Sequence, residues 1–259
     1  HAASTHAMRA VRSDILTGPV LNQANHVADD MNDPTQAHAA AIADAHQNRF
    51  WMDAIMYGTY PQILIDNYGD ELTSVIKDGD MQAAMVKNDF IGINYYFDNR
   101  IGKSLGGKPE WHSISGLFEQ DIDETPRGPL TDMGWPLTPE GLEGLLVRWH
   151  KEHGEKLPDL YITENGCAYG DGPGPDGAVH DPKRIDYLTT HLKAISNAIA
   201  QGSPVKGYYQ WSLMDNFEWA LGYEKRFGIV HVDFDTQKRI IKDSGYWYRD
   251  QIKNNGANI

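Results

Sequence analysis

The segment YITENG at 161–166 carries an apolar-aromatic run into a carboxylate, Glu164, and then into an Asn-Gly turn. In parallel α/β folds, functional groups gather at the carboxyl ends of strands. Two other strand-like runs end on matching chemistry. DFIGINYYF (89–97) offers Asn94 and Tyr96, two apart and so on one face. VKGYYQWSL (205–213) offers Trp211, and the loop after it carries Glu218 and Trp219. Acids, an amide, a phenol and indoles meeting at one mouth suit a carbohydrate. Carboxylates and amides hydrogen-bond hydroxyls, and indole faces cover apolar C–H patches. Period 2 puts Ile162 on the same face as Glu164. Taken alone, Glu164 reads as a solvated acid before a turn, and a lone Trp as core. Their joint placement at strand ends favours the chemical reading.

The elements that must position these groups alternate along the chain. PVLNQANHV (19–27) reads as a short strand opened by Gly-Pro. An Ala-rich helical pattern runs from Pro34 to about Met56, and Tyr60-Pro61 breaks it before PQILIDNYGDEL resumes as helix. Asp80 is placed to cap a short helix through Asn88. Residues 98–137 show no period and read as a long loop, a length that is usually functional. Thr138-Pro139-Glu140 opens a helix running to Gly154, and Asp181-Pro182 opens another running to about Gly202. FGIVHVD (227–233) alternates like a hairpin arm, and a last helix begins near Asp243. Four strands separated by helices imply an α/β fold with a parallel sheet. No linker or internal repeat divides the chain.

Composition narrows the classes. The chain has 259 residues, 41% of them hydrophobic, and a formal net charge of −13, which disfavours a nucleic-acid partner. The cluster Asp29-Asp30-Met31-Asn32-Asp33 reads as a solvated loop. No apolar run is long enough for a membrane span. A single cysteine, Cys167, permits no intrachain disulfide and fits a reducing, cytoplasmic compartment. Three residues after Glu164, it reads as packing. His150 and His153 share a helical face without a third ligand, which favours a solvated face over a metal site. GDGPGPDG has Pro where a phosphate loop needs amides.

YITENG, INYY, WPLTPEGL, QWSLMDNFEWALGYEKRFGIVHVDF and SGYWYRDQI resemble the motifs of glycoside hydrolase family 1, the β-glucosidase family, over essentially the whole chain. The resemblance implies a retaining β-glycosidase that needs no metal or organic cofactor and acts on terminal β-D-glucosyl residues of a glucoside or oligosaccharide. Glu164 would be the nucleophile and Tyr96 its hydrogen-bond partner. Asn94, Trp211, Glu218 and Trp219 would hold the sugar. Phe227 is divided between core and pocket wall. Glu218 stands where enzymes for 6-phosphorylated sugars tolerate phosphate, so unphosphorylated sugars are expected. The resemblance also implies a cis peptide at Trp211-Ser212.

A retaining glycosidase needs two carboxyl groups. The family's acid/base lies in a Thr-x-Asn-Glu-Pro motif, and no Asn-Glu-Pro occurs here. Lys108-Pro109-Glu110 is in the wrong order and place. The four strands match the family's fifth to eighth. The resemblance therefore implies that residues 1–259 are one domain, the C-terminal half of a (β/α)8 TIM barrel. Its natural N-terminus would be absent, and alone it would have little activity. The partner would be a missing N-terminal half or a second copy. A non-catalytic carbohydrate-binding or self-associating half-barrel is the alternative reading, and a thioglucosidase a weaker one.

Overall fold

The computed structural model describes residues 1–101 and 128–259. Strands β1 (Val20–Asn22), β3 (Phe90–Asn94), β5 (Asp159–Asn165) and β6 (Val205–Gln210) are successive neighbours in a four-stranded sheet. Helix α7 (Pro139–His153) lies between β3 and β5 in the chain, and α8 (Pro182–Ala200) between β5 and β6. The backbone pairs in ascending order. Asp89 N–H donates to the Thr17 carbonyl and Gly92 N–H to that of Pro19, each across 2.8 Å. This is the parallel α/β arrangement that alternating strands and helices imply. No helix of the described residues is long and apolar enough to cross a membrane.

The chain forms two compact units. The first comprises His1–Ile93, the segment from Asp98, and Pro158–Leu160. It opens with α1 (Ala2–Val11) and holds β1 and β2 (His26–Ala28). The Ala-rich stretch is α2 (Pro34–Asp44), a π-helical turn (Ala45–Arg49) and α3 (Phe50–Tyr57). The turn carries Asn48, fully buried, whose amide both donates to the Ala24 carbonyl at 2.7 Å and accepts from Ala24 N–H at 3.3 Å. Proline at the first helical position costs no hydrogen bond, which is why Pro34 starts α2. Asp33 caps it by accepting from Thr35 N–H at 2.9 Å, and Asp29 pairs with Arg100 at 2.7 Å. The acidic cluster is thus an exposed turn, as expected, anchored at both ends.

Three local expectations change here. The apolar run 19–27 divides into two strands. Helix α4 (Gln62–Tyr68) is followed by α5 (Asp70–Thr73) and α6 (Asp80–Ala84). Gly79 precedes α6, and the Asp80 carboxylate turns back to Lys77 N–H at 2.9 Å instead of capping the helix, which ends short of Asn88. The expected loop 98–137 begins with a strand, β4 (Asn99–Ile101), which pairs parallel with β2 in the register His26↔Asn99. Most of that loop, including Lys108-Pro109-Glu110, lies outside the described residues.

The second unit comprises Asn94–Phe97, the segment from Pro126 to Leu157, and Tyr161–Ile259. Thr138 precedes Pro139 at the start of α7, and it serves as an acceptor for the buried Tyr95 hydroxyl at 2.8 Å. Leu142, Leu145, Leu146 and Trp149 form the buried face of α7, and Tyr187, Leu188, Ala194 and Ala198 that of α8. His153 stacks on Trp149 and is buried, contrary to the solvated face expected for it. β7 (Val230–Val232) and β8 (Arg239–Ile241) pair antiparallel as the hairpin anticipated from FGIVHVD. Helix α9 (Asp243–Asn254) follows.

Candidate active site

β3 and β5 meet at their carboxyl ends through Tyr95 N–H, which donates to the Glu164 carbonyl at 2.9 Å. Two side-chain bonds then form side by side. Thr163 Oγ1 donates to Asn94 Oδ1 at 2.7 Å, and the Tyr96 hydroxyl donates to Glu164 Oε2 at 2.8 Å. Consecutive residues of β5 thus reach residues two apart at the end of β3. Ile162, two residues before Glu164 in β5, is fully buried.

The phenol of Tyr96 is held far above its ordinary titration range, first by burial and then by its bond to the Glu164 carboxylate. It remains a donor, which leaves Glu164 the acceptor. The Tyr96 ring lies 5.2 Å from Trp135 and 6.4 Å from Phe227. Trp135 also stacks on Phe97 at 5.2 Å. Phe227 is 2% exposed and meets the Tyr96 ring edge-on. Trp135 belongs to the WPLTPEGL stretch, but its place against Tyr96 was not read from sequence. No local pattern links positions 96 and 135.

Beyond β6, burial raises the Glu218 carboxyl above the usual carboxylate range, the neighbouring Trp211 lowers it, and the charge of Glu164 raises it further. The two acids therefore sense each other across the mouth. Trp211-Ser212 is a cis peptide, as the motif resemblance implied. Trp219 follows Glu218 in the chain. It is 78% exposed, with φ of 46°, a conformation that bulky residues rarely adopt. A groove of about 470 Å³ opens beside Trp211, Asn216, Phe217 and Tyr223, and Glu164 does not line it.

Behind the loops lies a buried charge network that the sequence did not reveal. Arg184, fully buried, donates from Nε to Asp181 at 2.9 Å and also pairs with Asp171 and the Cys167 carbonyl. Lys242, also fully buried, lies 3.3 Å from both Asp171 and Asp215. Asp215 accepts from Arg226 at 2.8 Å and from Gly228 N–H at 3.0 Å. Asp181 further accepts from Ser244 N–H at 2.8 Å. Three aspartates and three cations thus tie the loop after β5 to the loop between β6 and β7 and to the starts of α8 and α9. Cys167 packs inside this region, its thiol pushed up to about 12 by burial. That fits a packing residue and not a nucleophile. Among the described residues, no group of three or more His, Cys, Asp or Glu side chains could hold a metal ion.

The family model described as Glycosyl hydrolase family 1 matches residues 1–257. Beta-glucosidase A of Thermotoga maritima is 39% identical over 257 residues, covering 98% of this chain and 55% of that protein. The 6-phospho-beta-galactosidase of Leptotrichia buccalis is 38% identical over 239 residues, covering 85% of this chain and 50% of that protein. The crystal structure of the psychrophilic beta-glucosidase of Micrococcus antarcticus matches with a TM-score of 0.88 at 38% identity, covering 98% of this chain and 56% of the other. The chain thus spans about half the length of the curated relatives it matches.

Proposed function

The chain belongs to glycosyl hydrolase family 1, and on that premise we propose that it carries the nucleophile half of a retaining β-glycosidase acting on β-glucosides. The observation that carries this reading is the 2.8 Å bond from Tyr96 to Glu164. A phenol that stays protonated steadies one carboxylate oxygen without taking charge from the other. Glu164 attacks the anomeric carbon and forms a glycosyl-enzyme, and water then releases the sugar. Asn94, Trp211, Glu218 and Trp219 hold the glycone, and Phe227 backs Tyr96. The negative charge at Glu218 opposes a 6-phosphate, which favours neutral sugars over the phosphorylated substrate in the name of the Leptotrichia relative.

The leaving oxygen needs an acid, placed roughly 5–5.5 Å from the nucleophile in retaining enzymes. These 259 residues contain no Asn-Glu-Pro motif to supply it. We read the chain as one domain, residues 1–259. Strands β1, β3, β5 and β6 are then the fifth to eighth strands of a (β/α)8 barrel, and the acid comes from an N-terminal half or from an associating copy. The single family match over 1–257 and the half-length coverage of relatives support that reading. Alone, the chain would turn over little substrate.

The test is a 2-deoxy-2-fluoroglucoside with a good leaving group, followed by peptide mapping, with and without an added N-terminal half. Labelling at Glu164 supports the nucleophile assignment. Reversible sugar binding without labelling would replace the enzyme with a binding module. Full turnover of an unactivated glucoside by the lone chain would overturn the half-site.

A further inference from the structure

The sequence holds two Asn-Gly pairs, Asn165-Gly166 and Asn255-Gly256. Asn-Gly is the pair most open to deamidation, because glycine puts no side chain in the way of its own nitrogen. The Gly nitrogen attacks the Asn side-chain carbon, its proton leaves with the departing ammonia, and a cyclic imide forms. Water then opens the imide to aspartate or isoaspartate. The net change is amide plus water to acid plus ammonia, with no oxidant or reductant.

The fold treats the two pairs oppositely. Asn255 is exposed just past the end of α9. Asn165 has no exposed surface. Its Nδ2 donates to the Tyr95 carbonyl at 2.8 Å and to the Tyr187 hydroxyl at 2.9 Å. Its Oδ1 accepts from the Tyr208 hydroxyl at 2.9 Å, and its carbonyl accepts from Trp211 N–H at 2.9 Å. One amide therefore joins the end of β3, the end of β6 and helix α8 directly behind Glu164. The leaving nitrogen is pinned by two acceptors, and the buried amide is closed to water.

We propose that Asn165-Gly166 is a conformationally protected deamidation site, whose conversion follows only on opening of the β5 end and then dismantles the junction behind Glu164. An aspartate there turns an acceptor toward the Tyr95 carbonyl and buries a charge among groups arranged for an amide. An isoaspartate lengthens the backbone by one carbon immediately after Glu164. Neither product can restore the bonds, so each opening risks permanent loss of the junction. The inference is independent of which sugar, if any, the chain binds.

The experiment incubates the whole chain at mildly alkaline pH, with and without urea sufficient to unfold it, and follows both Asn-Gly peptides by mass spectrometry. Asn255 is the internal control. In urea the two sites should convert at similar rates. In native buffer Asn165 should be slower than Asn255 by on the order of 10³-fold, the reciprocal of a typical opened fraction. The double substitution Tyr187→Phe and Tyr208→Phe keeps both rings and should speed conversion at 165 but not at 255. Conversion of Asn165 at the rate of Asn255 in the native chain would overturn the protection, and an unchanged rate in the double variant would overturn the pinning. Asn165→Asp should lower the urea midpoint or prevent folding. A midpoint equal to the parent's would overturn the damage assigned to the product.

Discussion

Tyr96 donates its hydroxyl to Glu164 across 2.8 Å, joining residues 68 positions apart in the chain. The bond is charge-assisted and partly buried, the class worth about 1.5–3 kcal/mol. Tyr96→Phe keeps the ring against Trp135 and Phe227 and removes only that donor. Glycosylation of Glu164 by an activated fluoroglucoside, measured with the complementing half present, should slow by roughly 10- to 150-fold. An unchanged rate would mean that the bond has no part in activating the acid.

Glu218 carries a raised carboxyl because burial and the charge of Glu164 both disfavour its ionised form. For an acid whose folded value lies above its unfolded one, ionisation costs folding stability. That cost is present above the folded value and vanishes as pH falls below the unfolded one. Glu218→Gln should therefore raise the urea midpoint at neutral pH and leave it unchanged below the carboxylate range. The same variant should weaken glucose binding, seen by calorimetry. Stabilisation that persists into acid would point to packing and not charge.

Arg184 sits between Asp171 and Asp181 with no exposed side-chain surface. Arg184→Met fills similar volume but strands buried carboxylates, a change that typically costs about 3–5 kcal/mol. Urea unfolding should report a loss of that size. Lysine at this position should restore less than half of it, since an ammonium cannot reach both aspartates and the Arg226 and Cys167 carbonyls at once.

His191 is buried against the Tyr187 ring at 3.8 Å, and burial lowers its titration from 6.5 to about 4. The neutral imidazole is the folded form. Stability is full above the unfolded value of about 6.5 and falls as pH drops from there toward 4, by on the order of 3 kcal/mol. A urea series across that window should show the decline in the parent chain. His191→Phe should flatten it. An equal slope in the variant would assign the acid sensitivity to other groups.

The strand and helix order, the proline-led starts of α2, α7 and α8, and the residue types at the strand ends were legible in the sequence. They rest on local chemistry: a missing N–H suits the first helical turn, and β-branched and aromatic runs suit a pleat. The motif set carried the family as well. The support behind Tyr96 was not legible, because Trp135 lies far along the chain and only the fold brings its ring to the phenol. Asn165 and Gly166 read as an ordinary turn. Only the folded chain shows that the amide joins Tyr95, Tyr187 and Tyr208, and that a Cβ on Gly166 would lie 1.8 Å from the Trp211 carbonyl. The network around Arg184 and Lys242 was hidden for the same reason. Its partners are distant in sequence, and a buried charge becomes tolerable only when tertiary structure brings its counter-ion to it.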